Sequence, residues 1–386
     1  MTFKGYDLEF NLVFSKNAFP LTLKEIEGTS VTITVSYKTE TYTMTLNPDS
    51  NGEIELDLQG ILRSLAPSIM EAGRFSAILK NLGSEIITIS ATSNMDEECS
   101  VEILAIDGGI AASEAEDEVI NTLWLTWRPE VSTTYANAYE QLSVLLLPMA
   151  VPDVTEGQLF RHRILAKVYL NTGEDVEIEL ADGIVTATAG LYIRSVDVSV
   201  NMIANSLNNL YPEYNTSNIL AYDVYGLYCK TDDTVLMTGT PTVQRFVVKP
   251  SRSDVKCFLF RNSLGVFETV CATGSFTRIL TPEVATFITG RSEGELVNTS
   301  KVSFKVNTGA LDSVDMVNLW QDFFLSKERY LVTEYSLEKI IVEEGKSEAK
   351  NRALCDMEFS YHLATQPAGR FRTKKTLNTY NYDEQE

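Results

Sequence analysis

The chain has 386 residues, 44% of them hydrophobic, so it can bury a substantial core and has room for two or three domains. Its 32 Lys and Arg against 53 Asp and Glu leave a net charge of −21. That balance repels nucleic-acid backbones and anionic membranes and favours solubility. No run of 18 apolar residues occurs, so no membrane insertion is expected. The start, MTFKGYDLEFNLVF, lacks the basic, apolar and small-residue parts of a signal peptide, and synthesis in the cytoplasm is expected.

The first hundred residues read as β-structure. Leu8, Phe10, Leu12 and Phe14 alternate with Asp7, Glu9, Asn11 and Val13, and Val31, Ile33, Val35 and Tyr37 repeat the pattern. Tyr42, Met44 and Leu46 follow, then the turn cluster 47–52, then Ile54, Leu56 and Leu58. A short helix is predicted over 58–65, before Pro67. Further strands are predicted around Ile86–Ile89 and Val101–Ile106. Residues 95–118 carry nine acids and no Lys or Arg, and Gly108-Gly109 with the following Ala/Ser/Glu run reads as an exposed connection.

From 119 to 260 the chain is again strand-rich. The run Leu123-Trp-Leu-Thr-Trp-Arg-Pro129 ends at a proline. Strands are predicted at 143–147, 163–170, 174–180, 191–200, 221–229 and 244–248, with a turn at Asn171-Thr-Gly173. Ile203, Leu207 and Leu210 have helical spacing over 200–210. Residues 258–274 hold two apolar runs around a turn built on Asn262, Ser263 and Gly265, the pattern of a β-hairpin. Residues 281–290 are mixed, and Val302, Phe304 and Val306 mark another strand. A helix is predicted over 313–326, with Val314, Val317, Phe324 and Leu325 forming an apolar stripe around Trp320 and Phe323, and Asp312, Ser313 and Asp315 as capping residues. Strands at 330–333, 339–343 and 353–362 follow. The polar end, 365–386, has no core of its own to dock on. The expected fold class is mainly β: two or more antiparallel β-sandwich or barrel-like domains with a few short helices. The expected division is 1–110, 111–260 and 261–364 (with one helix), then an extended tail over 365–386.

Catalytic chemistry is thinly represented. His162 and His362 are the two histidines, and neither has metal-ligand spacing or a triad context. His162 lies between two arginines and is expected to face solvent. Asn47-x-Asp49-x-Asn51-Gly52 imitates the start of a calcium loop, but the twelfth position is Leu58 where a bidentate acid is required, so a turn is the better reading. Asp232-Asp233 also reads as a turn. Glycosidase carboxylates leave no local spacing to find. No phosphate-cradling glycine motif occurs. The five cysteines show no Cys-x-x-Cys pair. Cys257 and Cys271 flank the hairpin and could lie close together, but reduced, buried thiols are expected. Tyr211, Tyr214, Tyr222, Tyr225 and Tyr228 could form a sugar platform; core or subunit interface is the preferred reading. The expectation is therefore no enzyme, no cofactor and no metal. Arg370, Phe371, Arg372, Lys374, Lys375, Tyr380 and Tyr382 in the tail are the candidate assembly contacts, anchoring on an acidic neighbouring subunit.

The hairpin at 258–274, with its Asn-x-Leu-Gly turn and aromatic-acidic-Thr step, resembles a hairpin in virion structural proteins of tailed phages and prophages. The stretch Asn51-Gly-Glu-Ile-Glu-Leu-Asp-Leu-Gln-Gly-Ile-Leu62 resembles a strand-to-helix element near the start of such tail proteins. Leu123–Pro129 resembles a second patch, and 319–327 with 357–364 resemble their C-terminal strands. Val266 stands where that family has a second glycine. The resemblance implies a tail or baseplate ring or adaptor protein, made in the bacterial host cytoplasm and resident in the virion. It would be a homo-oligomer that contacts other virion or tail proteins and binds no nucleic acid. The alternative is a carbohydrate-binding or adhesive β-sandwich protein.

Overall fold

A computed structural model describes residues 1–4, 11–66, 69–82, 85–110, 124–146, 151, 154–187, 192–238, 243–289, 292–311, 313–334, 336–346 and 355–365. The fold is mainly β, as the alternation patterns imply. The expected strand residues Leu8 and Phe10, the acidic run 111–118, Leu123 and Asp312 lie outside the described residues, as does the tail beyond 365.

The N-terminal unit packs two sheets face to face. Thr2–Phe3, Pro20–Lys24 and Ile54–Asp57 form one. The other runs in the order Asn11–Phe14, Glu98–Ile106, Ile86–Ser93, Val31–Tyr37, Glu40–Leu46, with its first pair parallel. Val31, Ile33 and Val35 point inward with Ile87, Ile89 and Ile103, so the period-2 reading sets the buried face. Tyr42 on the edge strand stays outside. In the turn after Leu46, Asp49 accepts the backbone N–H groups of Asn51 and Glu53, and Gly52 takes a left-handed φ of 74°. The short helix spans Gln59–Leu65 and buries Leu62 and Leu65.

The middle unit opposes a larger sheet to a small one. The larger runs Val131–Tyr135, Gln244–Lys249, Ile219–Cys229, Leu159–Leu170, Asp175–Thr186, with Val235–Thr238 also on Ile219–Cys229. The small sheet is Gln141–Leu146, Tyr192–Asp197 and Ala77–Asn81. Its last strand comes from the first hundred residues, so the N-terminal segment supplies an edge to the middle sandwich. The helix Val200–Leu210 buries Val200, Ile203 and Leu207 but leaves Leu210 exposed, and Ser199 caps it by accepting from Met202 N at 3.3 Å.

The C-terminal sheet has the order Phe267–Ala272, Lys256–Arg261, Arg329–Val332, Leu337–Lys346, Glu358–Leu363, Ser292–Asn307, Phe276–Thr289. The helix Val314–Leu325 packs Val317, Leu319, Trp320 and Phe323 against Phe258, Phe260, Phe359 and Tyr361. The expected stripe is displaced around the helix: Val314 and Leu325 face outward at 74% and 82% exposure, because the ring-lined sheet selects the Trp320–Phe323 side. The stretch read as mixed, 281–290, continues a strand through Thr289. Cys257 and Cys271 are directly opposed across the hairpin and form a disulfide, correcting the expectation of reduced thiols there; Cys99, Cys229 and Cys355 are free.

Candidate interaction surface and the buried junction

The hairpin turn at 262–266 is where the units meet. Gly265 has a φ of 84°, and the Asn262 side chain accepts from Leu264 N and Val266 N. The amide of Asn262 donates to Leu125 O and to the Glu268 carboxylate, each at 2.9 Å. Ser263 N donates to Asp322 on the C-terminal helix at 2.7 Å, while Trp127 Nε1 donates to Ser263 Oγ at 2.6 Å. Leu264 and Val266 enter a core shared with Phe14, Ile106, Leu145 and Ile193. The pair Gly108-Gly109 is no exposed connection: Gly108 is buried, and Gly109 N donates to Ser263 O at 2.6 Å. A Cβ at 108 would lie 2.5 Å from Ser263 O, so glycine permits the approach.

Behind the turn lies a buried charged cluster. Arg128 meets Glu140 at 2.8 Å and donates to Thr269 O at 2.6 Å. Glu140 also accepts from Thr134 and Thr269. Thr126 and Asn262 donate to Glu268, whose carboxyl is raised to about 7 because burial outweighs Arg128 and these hydrogen bonds. Burial opposes the charge on Arg128, but Glu140 and Glu268 overcome it and hold the guanidinium ionised. Sequence reading did not single out these three residues. Their one visible signal is the lone acid inside the apolar strand Phe267–Ala272.

The histidines are not brought together. His162 is fully buried, correcting the expectation of exposure: its strand turns it toward Tyr228, with ring centroids 4.9 Å apart. Burial, and then the charge of Arg194, push its pKa well below the usual value. His362 is half-buried, with Nδ1 2.8 Å from Glu343. Asp232 accepts from Thr234 N in a turn, and Asp233 pairs with Arg161. The five tyrosines form no single platform: Tyr222 and Tyr228 are buried, while Tyr211 is exposed. Arg370, Phe371, Arg372, Lys374, Lys375, Tyr380 and Tyr382 lie outside the described residues.

The surface feature with the clearest capacity for contact is a two-stranded ribbon. Phe276–Thr289 and Ser292–Asn307 pair along their length, from Phe276↔Val306 to Thr289↔Ser292. The strand Glu358–Leu363 joins them only at Phe304–Asn307. From Pro282↔Ser300 outward, no third strand pairs with the ribbon among the described residues. Eight residues at about 3.3 Å each carry it roughly 26 Å. Near its base Ile279 and Leu280 are exposed, and Lys301 pairs with Glu343.

No protein-family model matches the sequence, and no curated protein matches it. Solved structures with some likeness include fibronectin(III)-like modules of Clostridium thermocellum CbhA, at 8% identity over 65% of this chain and 95% of that one, TM-score 0.15. A bacterial integrin-binding invasin matches at 10% identity over 78% of this chain and 55% of that one, TM-score 0.20. A structure from a 1.5-MDa bacterial ice-binding adhesin matches at 10% identity over 77% and 88%, TM-score 0.14. Scores of this size carry no argument about function; the β-sandwich character of the chain stands on its own sheets.

Proposed function

We propose that this chain is a non-catalytic structural β protein that acts through contacts between copies of itself, with the ribbon 276–307 as its docking arm. The carrying observation is the distal ribbon without a third strand among the described residues. A lone two-stranded ribbon is marginal in water. Its edges, unpaired among the described residues, present N–H and C=O groups that a strand of a second copy can complete. Pro282, which cannot donate to a ladder, fits an edge strand.

The finer reading is a component of a phage or phage-like particle, a tail or baseplate ring or adaptor protein. It rests on the sequence resemblance, with Arg370, Phe371, Arg372, Lys374, Lys375, Tyr380 and Tyr382 of the tail 365–386 as a second set of assembly contacts. The other reading is an adhesive or carbohydrate-binding β-sandwich protein; the invasin and adhesin names fall on that side, at scores that carry no argument.

Light scattering across rising concentration tests the arm. The intact chain is expected to self-associate, and a variant with 282–300 replaced by an Asn-Gly turn is expected to stay folded and monomeric. An intact chain that remains monomeric throughout, or a deletion that leaves association unchanged, overturns the proposal. A monomer that binds a glycan array supports the adhesive reading instead.

A further inference from the structure

The middle sandwich buries an arginine and a histidine between its sheets. Arg194 alternates with Tyr192 and Val196 on the inner face of the strand Tyr192–Asp197 and is 1% exposed. His162 alternates with Phe160 and Ile164 on the inner face of Leu159–Leu170 and is wholly buried. Gly183 stands opposite His162 in the ladder, and a Cβ on it would collide with Arg194 Nη2. The guanidinium therefore rests on the backbone beside the imidazole.

Buried polar groups are ordinarily paired, and these two are not. Both ring nitrogens of His162, and Nε and Nη2 of Arg194, have no hydrogen-bond partner among the described residues. The carboxylates whose charges reach Arg194, Asp182 and Glu179, pair with Arg161 and Arg163. Tyr228 faces His162 from the strand Ile219–Cys229 with a ring rather than a charge. Lys80, on the strand Ala77–Asn81, turns instead to Ile69 O and Glu85. Burial and the Arg194 charge both oppose an imidazolium, so His162 is neutral while the sandwich is closed.

The strand nearest this pair is also a weakly held one. Ala77–Asn81 is the edge of the small sheet, and none of its five residues is fully buried. Leu79 is the direct ladder partner of Arg194, and its Cδ2 lies 3.0 Å from the position of a Cβ on Gly183. Leu79 and the guanidinium thus meet over Gly183.

We propose that His162 and Arg194 form an acid-sensitive latch: when His162 takes a proton, two cations share the core, and release of Ala77–Asn81 lets the Arg194 side chain reach water. That strand is the one the first hundred residues lend to the middle sandwich, so acid loosens the tie between the two units. The inference does not depend on the ribbon. The opened form binds a proton that the closed form refuses, so each pH unit below 6.5 raises the opened fraction by up to about tenfold.

Hydrogen–deuterium exchange of the full chain between about pH 7 and about pH 5, corrected for the intrinsic rate, tests it. Protection of Ala77–Asn81 is expected to fall by up to about tenfold per unit below 6.5. Protection of Val31–Tyr37, in the N-terminal sheet, is expected to fall less, because global unfolding also releases the Glu268 proton and so offsets His162. That comparison needs no variant. His162→Leu is expected to flatten the fall at Ala77–Asn81, and Arg194→Met to lessen it. No fall there, parallel falls in the two strands of the parent, or an undiminished slope in His162→Leu overturns the proposal.

Discussion

The guanidinium of Arg128 lies 2.8 Å from the carboxylate of Glu140, and the two side chains are only 5% and 3% exposed. This pair ties the segment leading into the middle sandwich to the strand Gln141–Leu146, and through Thr269 to the C-terminal hairpin. Removing one partner leaves the other as an uncompensated buried charge. Arg128→Ala is expected to cost about 3–5 kcal/mol in urea unfolding. The apolar double variant Arg128→Met with Glu140→Leu is expected to recover much of that loss. Equal instability of the single and double variants would show that the pair is not the source of the effect.

Gly265 carries a second test. Its φ is 84°, and a Cβ there would lie 2.5 Å from Ile106 Cγ2. Gly157, at φ 80°, has nothing within 4 Å of its virtual Cβ. Gly265→Ala is expected to destabilise by about 1–3 kcal/mol beyond Gly157→Ala, since both incur the backbone cost and one adds a clash. Matching melting temperatures for the two variants would contradict the close packing at the junction.

Two buried groups set opposing pH dependences. His162 has a folded pKa well below its ordinary 6.5, so below that pH the unfolded chain binds a proton the folded chain refuses. Stability is then lost as pH falls below 6.5, by up to about 1.4 kcal/mol per unit. Glu268, raised to about 7 from 4.5, keeps a proton that the unfolded chain has released, so its contribution is lost as pH rises between those values. His162→Leu is expected to flatten the acid-side loss, and Glu268→Gln to remove the decline toward neutrality. Unfolding free energies measured across this range check both signs.

The disulfide between Cys257 and Cys271 closes a short loop, 14 residues apart in sequence, around the junction turn. Replacing both cysteines with alanine is expected to cost about 3 kcal/mol by loop-closure entropy. Thermal unfolding of the variant beside the oxidised and reduced parent measures this. A variant as stable as the oxidised parent would contradict it.

For the C-terminal tail, removal of 365–386 is expected to leave the melting temperature nearly unchanged while reducing self-association, since its composition offers little to bury. Unfolding of the truncated chain would place the tail in the core, and unaltered association would remove Arg370, Phe371 and their neighbours from the contact set.

The sequence by itself determined the local elements. Alternation at Val31, Ile33 and Val35 set a sheet face, Asn262 and Gly265 set a hairpin turn, and Ser313 set a helix start, because each depends on neighbours within a few residues. Tertiary structure decided what those elements meet. Nothing local indicates that Ala77–Asn81 pairs with Tyr192–Asp197, that His162 turns inward, or that Gly108 packs under Ser263. The helix stripe shifted because periodicity offers several apolar faces and only the facing rings of Phe258 and Phe359 choose among them. The stretch 281–290 read as mixed because no described third strand packs along the outer half of Phe276–Thr289 to impose an alternation. Arg128, Glu140 and Glu268 were invisible as a group for the same reason: charges far apart in the chain become one cluster only when packing removes the water between them.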